Sequence, residues 1–141
     1  MYEQQLAKNR IAWKRGAKKG AFTKLESQIQ IGVVTWFGYQ YPEFRMSLVK
    51  IPNEGKRSWT KGKQMKDEGL RKGFPDMFLF VPRGGYHGMA IEFKAPGRRP
   101  EKEQREYLNY LASLKYFSRY FENIDEAMEI IKAYMEGTIN G

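Results

Sequence analysis

The chain has 141 residues, room for one domain with a sizeable core and not for two. It has no cysteine and a single histidine, His87, which excludes disulfide scaffolds, thiolate metal sites and multi-histidine metal sites. Lys plus Arg number 25 against 16 Asp plus Glu, and the net charge of +9 points to a polyanionic partner such as nucleic acid or an anionic membrane. No apolar run approaches 18 residues and the N-terminus has no apolar core segment, so neither a transmembrane helix nor a signal peptide is expected. A membrane-surface role is disfavoured as well, because no basic amphipathic helix carries a Trp- or Leu-rich face.

Residues 1–22 read as a basic N-terminal arm and 23–136 as the domain proper. The arm region carries Lys8, Arg10, Lys14, Arg15, Lys18 and Lys19 against one acid, Glu3, with Gly16 and Gly20 marking a joint near 17–20. A helix is predicted over 23–37, with Leu25, Ile29, Val33 and Phe37 recurring every four residues. Thr23 and Glu26 stand at capping-box spacing and Gly38 is the expected stop. A strand is predicted over 44–51, with Phe44, Met46, Leu48 and Lys50 alternating to one side and a turn following at 52–55. Residues 56–73 hold Lys56, Arg57, Lys61, Lys63, Lys66, Arg71 and Lys72 and read as a surface helix near 60–69, closed by Gly69 or Gly73. Two strands, 74–81 and 88–94, form a hairpin about the Pro82-Arg83-Gly84-Gly85 turn. A helix over 100–114 begins near Pro100 with Glu101 and Glu103 in its first turn. A short strand over 116–121 and a helix over 124–135, capped by Asn123 or Asp125 and ended by Gly137, complete the chain. Three meandering strands, a crossover helix and a fourth strand make an α/β fold: a mixed four-stranded sheet flanked by helices.

The chemistry concentrates in the hairpin. Period-2 alternation puts Met89, Ile91 and Phe93 on one face of the second strand and Ala90, Glu92 and Lys94 on the other. In an antiparallel hairpin the start of the first strand lies beside the end of the second, so Asp76 is expected beside Glu92 and Lys94. Two close carboxylates repel unless a divalent cation lies between them. Oxygen ligands suit Mg²⁺, with Mn²⁺ as a substitute, and the backbone carbonyl of Phe93 is a further candidate ligand. Such an ion polarises a phosphoryl oxygen and acidifies a bound water, while Lys94 orients that water or neutralises developing charge. A bare Glu-x-Lys is a weak signal, and Glu54-Gly55-Lys56 repeats it in a turn that cannot hold two side chains on one strand face. The discriminating pattern is Pro-Asp opening an apolar strand, a tight turn, and Glu-x-Lys closing the returning strand.

Gly73-Phe74-Pro75-Asp76-Met77-Phe78-Leu79, Pro82-Arg83-Gly84-Gly85-Tyr86-His87-Gly88, Ile91-Glu92-Phe93-Lys94 and Glu103-Gln104 resemble the PD-(D/E)xK nucleases, and more narrowly the stand-alone virus-type replication-repair nuclease (VRR-NUC) domain of phages and bacteria. Residues 51–57 resemble that group too, and the likeness runs from about 24 to 130. It implies a restriction-endonuclease-like core and a Mg²⁺-dependent endonuclease of branched DNA, a Holliday junction resolvase acting as a homodimer. It implies a cytoplasmic location in a bacterial or phage-infected cell. The alternatives are a flap or nicking nuclease of the same fold, or a non-catalytic DNA-binding module. By the resemblance, Asp76 and Glu92 match the metal-binding acids and Lys94 the catalytic lysine. Glu26 matches a helix-borne acid that reaches the metal site, often through water, with the capping box or a solvated helix face as its other readings. Gln104 matches the glutamine of the crossover helix, pointing into the site or hydrogen-bonded at its boundary. His87 and Tyr86 read as turn residues, and Trp13, Trp36 and Trp59 as core or interface anchors before base-stacking platforms.

Overall fold

The computed structural model describes residues 19–52 and 59–139. Helix α1 spans Lys19–Gln40, a six-residue 3-10 helix Pro42–Ser47 follows, and β1 is Leu48–Lys50. Helix α2 is Trp59–Asp67, β2 Met77–Leu79, β3 Met89–Phe93, α3 Lys102–Ser113, β4 Phe117–Phe121 and α4 Ile124–Met135. The sheet order is β1-β2-β3-β4, with β1, β2 and β3 antiparallel and β4 parallel to β3. The expected meander, crossover helix and mixed sheet are all present.

The sheet has a core on each face. On one side α1 and α4 bring Ile29, Val33, Phe37, Ile131 and Tyr134 onto Met77, Leu79, Met89, Ile91 and Phe93. On the other, α3 lays Leu108 and Leu111 over Phe78 and Ala90. Alternation therefore sorts β3 into two faces as predicted, yet all five of its residues are buried, because both faces are covered. The tight turn works as read: Gly84 and Gly85 take φ of 56° and 85°, and Arg83 and Tyr86 exchange backbone hydrogen bonds across it. Asn123 is the cap of α4, accepting the Glu126 N–H at 2.8 Å.

Three expectations are corrected. Helix α1 does not start at Thr23, which lies inside it; the helix already runs from Lys19 through Gly20. The roughly 1 kcal/mol cost of a helical glycine is outweighed by packing of the apolar stripe, extended by Phe22, whose ring lies 4.7 Å beneath the Arg98 guanidinium. Gly38 does not stop the helix either: it continues to Gln40, and Arg45 binds the Gly38 carbonyl at 3.2 Å. The strand expected over 44–51 is present only at Leu48–Lys50, since Pro42 opens a 3-10 helix whose side chains coincide every three residues. Phe44 and Leu48 still pack on the core, but Met46 points outward and is 93% exposed. Helix α2 ends at Asp67 and is closed as foreseen by Gly69, where the Leu70 and Gly69 N–H groups bond back to Met65 and Lys66. The basic arm up to residue 18, the side chains of Trp13 and Trp59, and the Glu54–Lys56 repeat lie outside the described residues.

Candidate active site

The predicted residues meet at one end of the sheet, where β2 begins and β3 finishes. The register pairs Met77 with Ile91, which brings Asp76 beside Glu92. Asp76 is anchored through its own side chain: Oδ2 accepts the Phe93 N–H at 2.8 Å. Its carbonyl accepts the Ile51 N–H at 2.8 Å, which ties β1 to the same end. The Phe93 peptide is thereby fixed relative to Asp76.

Glu92 is the central group. It is 2% exposed and is the only charged residue in the buried set among the described residues. Oε1 accepts from Gln104 Nε2 at 2.9 Å and faces Lys94 Nζ at 3.6 Å. Oε2 is shut from water and has no hydrogen-bond partner. Burial, then the neighbouring Asp76 charge, push its pKa from 4.5 up to about 9, against the opposing pull of Lys94. A carboxylate buried in this way costs several kcal/mol unless positive charge compensates it. Lys94, itself only 12% exposed, supplies part of that compensation.

Gln104 fills both roles open to it. Its Oε1 accepts the Glu101 N–H at 2.8 Å, one half of a capping box with Glu101, while its Nε2 reaches Glu92. The two bonds fix the amide orientation, because the flipped form would set oxygen against carboxylate and N–H against N–H. The signal was present in the sequence: Pro100-Glu101 followed by Gln at the third helical position. Glu26, released from any cap by the longer helix, extends to the Ala95 N–H at 3.2 Å and contributes weakly to the raised pKa of Glu92.

The sequence offered Gly73 only as a helix stop and as part of the family-like motif, and its positioning role was missed. Gly73 has φ of +83°, and a Cβ there would lie 2.7 Å from the carbonyl carbon and oxygen of Glu103. The turn before Asp76 therefore rests directly on the first turn of α3, which carries Gln104. Gly73→Ala is expected to cost about 1–3 kcal/mol of stability and to slow catalysis more than that loss alone explains. A urea midpoint with a single-turnover cleavage rate reads both; a wild-type rate at wild-type stability would contradict this positioning role.

Asp76 also borders an open groove of about 690 Å³ between α1 and β1. Thr23, Glu26, Ser27 and Gln30 line its α1 side and Lys50 and Ile51 its β1 side. The groove leads from the surface to the Asp76 and Glu26 carboxylates. His87 and Tyr86 stand at the other end of the sheet, where Tyr86 packs on Phe117 and Tyr134 and His87 on Tyr116. Trp36 is a core anchor, packed on Phe37 and Tyr41.

Among the described residues no three His, Cys, Asp or Glu side chains form a ready metal cage. The pair that is present suits Mg²⁺, which takes one or two carboxylates and keeps several waters. The unpartnered Glu92 Oε2 beside Asp76 is the observation that fits a cation, since a positive ion there relieves both the lost hydrogen bond and the repulsion.

No helix among the described residues is long and apolar enough to cross a membrane. No curated protein matches the sequence. A solved structure described as a VRR_NUC domain protein superposes with a TM-score of 0.70 at 24% identity, covering 79% of this chain and 88% of that one, and it shares the fold. The sequence pattern of the VRR-NUC domain matches residues 23–121, a span that runs from the groove-lining face of α1 through Asp76, Glu92, Lys94 and Gln104 to the end of β4. The chain thus belongs to the VRR-NUC domain family, and a nuclease activity follows from that membership.

Proposed function

We propose that the protein is a Mg²⁺-dependent endonuclease of branched DNA, cutting four-way junctions as a two-fold dimer. The observation that carries the catalytic part is the buried Glu92, held by Gln104 and Lys94 beside Asp76 with one oxygen unpartnered. A module that only bound DNA would gain nothing from a buried acid beside a second carboxylate, a pair that repels phosphate. Asp76, Glu92 and the Phe93 carbonyl are the groups that would hold the cation, with Glu26 as a further acid that would act from α1. When bound, the cation supplies Lewis acidity toward the scissile phosphodiester and the attacking water. Burial and the neighbouring Asp76 charge favour the protonated form of Glu92, so a cation held there would displace that proton at neutral pH. Gln104 and the Phe93 N–H hold the two carboxylates in place before substrate arrives. Lys94 places its ammonium within 3.6 Å of Glu92 and neutralises charge developing on the phosphate.

The branched substrate and the dimer rest on the family resemblance and on geometry of a general kind. A four-way junction needs two symmetric cuts, and one chain carries one candidate site, so two chains related by a dyad are required. The net charge of +9 favours long DNA arms and a steep salt dependence. The test is parallel cleavage of four-way, flap, nicked and linear duplexes with Mg²⁺, with the mass of the complex measured by light scattering. Paired symmetric cuts by a dimer are expected. A monomer that cuts one strand of a flap would replace this reading by a flap nuclease.

A further inference from the structure

A second cleft, of about 390 Å³, lies between α3 and the edge strand β4. Arg99, Arg105, Leu108, Asn109, Ser118 and Tyr120 line it. The β3–β4 register pairs Tyr120 with Glu92 and Ser118 with Ala90. Paired residues of parallel strands share a face, so Ser118 and Tyr120 stand on the α3 side of the sheet, with Tyr120 one strand spacing, about 4.8 Å, from Glu92. The cleft and the catalytic carboxylate are therefore neighbours, on either side of the α3 turn that carries Gln104.

The lining is chemically specific. Neither an Asp nor a Glu is among its residues, while three guanidinium groups are. Arg105 is held in place by a 2.6 Å bond from Nη1 to the Pro100 carbonyl, which leaves its other N–H groups for a ligand. Arg99 is exposed and makes no ion pair among the described residues. Arg119 also borders the cleft, but its guanidinium is paired with Glu126 at 3.0 Å. Tyr120 is 37% exposed, a large ring at the mouth of a polar cleft. Ser118 Oγ is buried beneath with no hydrogen-bond partner among the described residues, a group that calls for a ligand or water. Guanidinium groups suit phosphate, an exposed tyrosine ring suits a base, and the volume falls in the range of small-ligand sites.

We propose that this cleft is a nucleotide subsite. It holds one unstacked nucleotide of the substrate strand beside the cleavage site, its phosphate on Arg99 and Arg105 and its base against Tyr120 and Leu108. The proposal rests on the nuclease reading only in that the strand held here is the strand presented to Glu92. Single-strand character next to the cut is what a branched or distorted substrate offers and a relaxed duplex does not.

The test uses the full chain in EDTA with a fluorescent single-stranded oligonucleotide, read by anisotropy across salt concentrations. Arg99→Ala is expected to weaken binding and to lower the slope of log affinity against log salt by about 0.7, one single-strand phosphate contact. Tyr120→Leu is expected to weaken binding about fivefold or more with the slope unchanged, and to have no effect on an abasic strand. Lys132→Ala, which removes an exposed charge from α4, is expected to change affinity less than twofold. Loss with Arg99→Ala but none with Tyr120→Leu would reduce the cleft to an anion patch and overturn the nucleotide subsite. Unchanged binding in both variants, or no measurable binding by the wild type, would overturn it outright. Binding differences as predicted in a protein that cuts no DNA would instead overturn the nuclease reading and leave the subsite standing.

Discussion

Glu92→Gln is expected to abolish cleavage while stabilising the metal-free protein at neutral and alkaline pH. The carboxamide keeps the bond from Gln104 Nε2 and offers an NH₂ to the neighbouring Asp76 carboxylate, but it removes one of the two carboxylates proposed to hold the cation. The rate should fall by about 10³-fold or more, the several kcal/mol that a cation supplies to a phosphoryl transfer. The stability effect has a defined sign. The folded pKa, about 9, stands above the unfolded value of 4.5. Below pH 4.5 both states hold the proton and Glu92 contributes nothing. Between 4.5 and 9 the unfolded chain releases it and the native state keeps it, so wild-type stability declines with rising pH, by up to about 1.4 kcal/mol per pH unit from this group. The variant lacks that decline, and saturating Mg²⁺ should diminish it in the wild type. Urea unfolding from pH 5 to 9 in EDTA, then in Mg²⁺, measures both. Parallel pH profiles for the two proteins would show that Glu92 is not a destabilised acid, and cleavage within tenfold of wild type would remove it from the site.

Lys94→Ala is expected to lose about 10²- to 10³-fold in single-turnover rate with a change in Mn²⁺ affinity below about tenfold. A protonated lysine cannot ligate a cation, so its contribution lies in charge and orientation at the phosphate. Its removal leaves Glu92 more inclined to keep its proton, which weakens cation binding. It also removes a positive charge from beside the incoming cation, which strengthens it. Both effects act at the same 3.6 Å contact and oppose one another. Calorimetric Mn²⁺ titration with a single-turnover rate separates the two quantities. An unchanged rate would take Lys94 out of the mechanism, and loss of Mn²⁺ binding would make it a structural support for Glu92.

Why the site was legible while parts of the fold were not comes down to range. The meeting of Asp76, Glu92 and Lys94 follows from a short hairpin: a two-glycine turn and period-2 alternation leave little freedom in the register. The depth of Glu92 does not follow from β3 itself. It depends on α3 covering the second face, a contact between elements that alternation cannot see. The start of α1 was misread because Thr23 and Glu26 match a capping pattern locally, whereas Phe22, Leu25 and Ile29 pack against distant parts of the chain and carry the helix further back. The 44–51 stretch was misread because Phe44 and Leu48 are inward in either geometry; only Met46 distinguishes a strand from a 3-10 helix, and it faces solvent. Gln104 was placed at the boundary of an apolar face, and its capping partner Glu101 explains why it can serve the site and the helix at once.

The most direct measurement is cleavage of a labelled four-way junction by the full chain under single-turnover conditions, titrated with Mg²⁺ and repeated in EDTA, with Glu92→Gln alongside. The account predicts hydrolysis that saturates with Mg²⁺, vanishes in EDTA and is absent from the variant, while the variant still binds the junction. Mg²⁺-independent cleavage, or cleavage by Glu92→Gln at the wild-type rate, would contradict it.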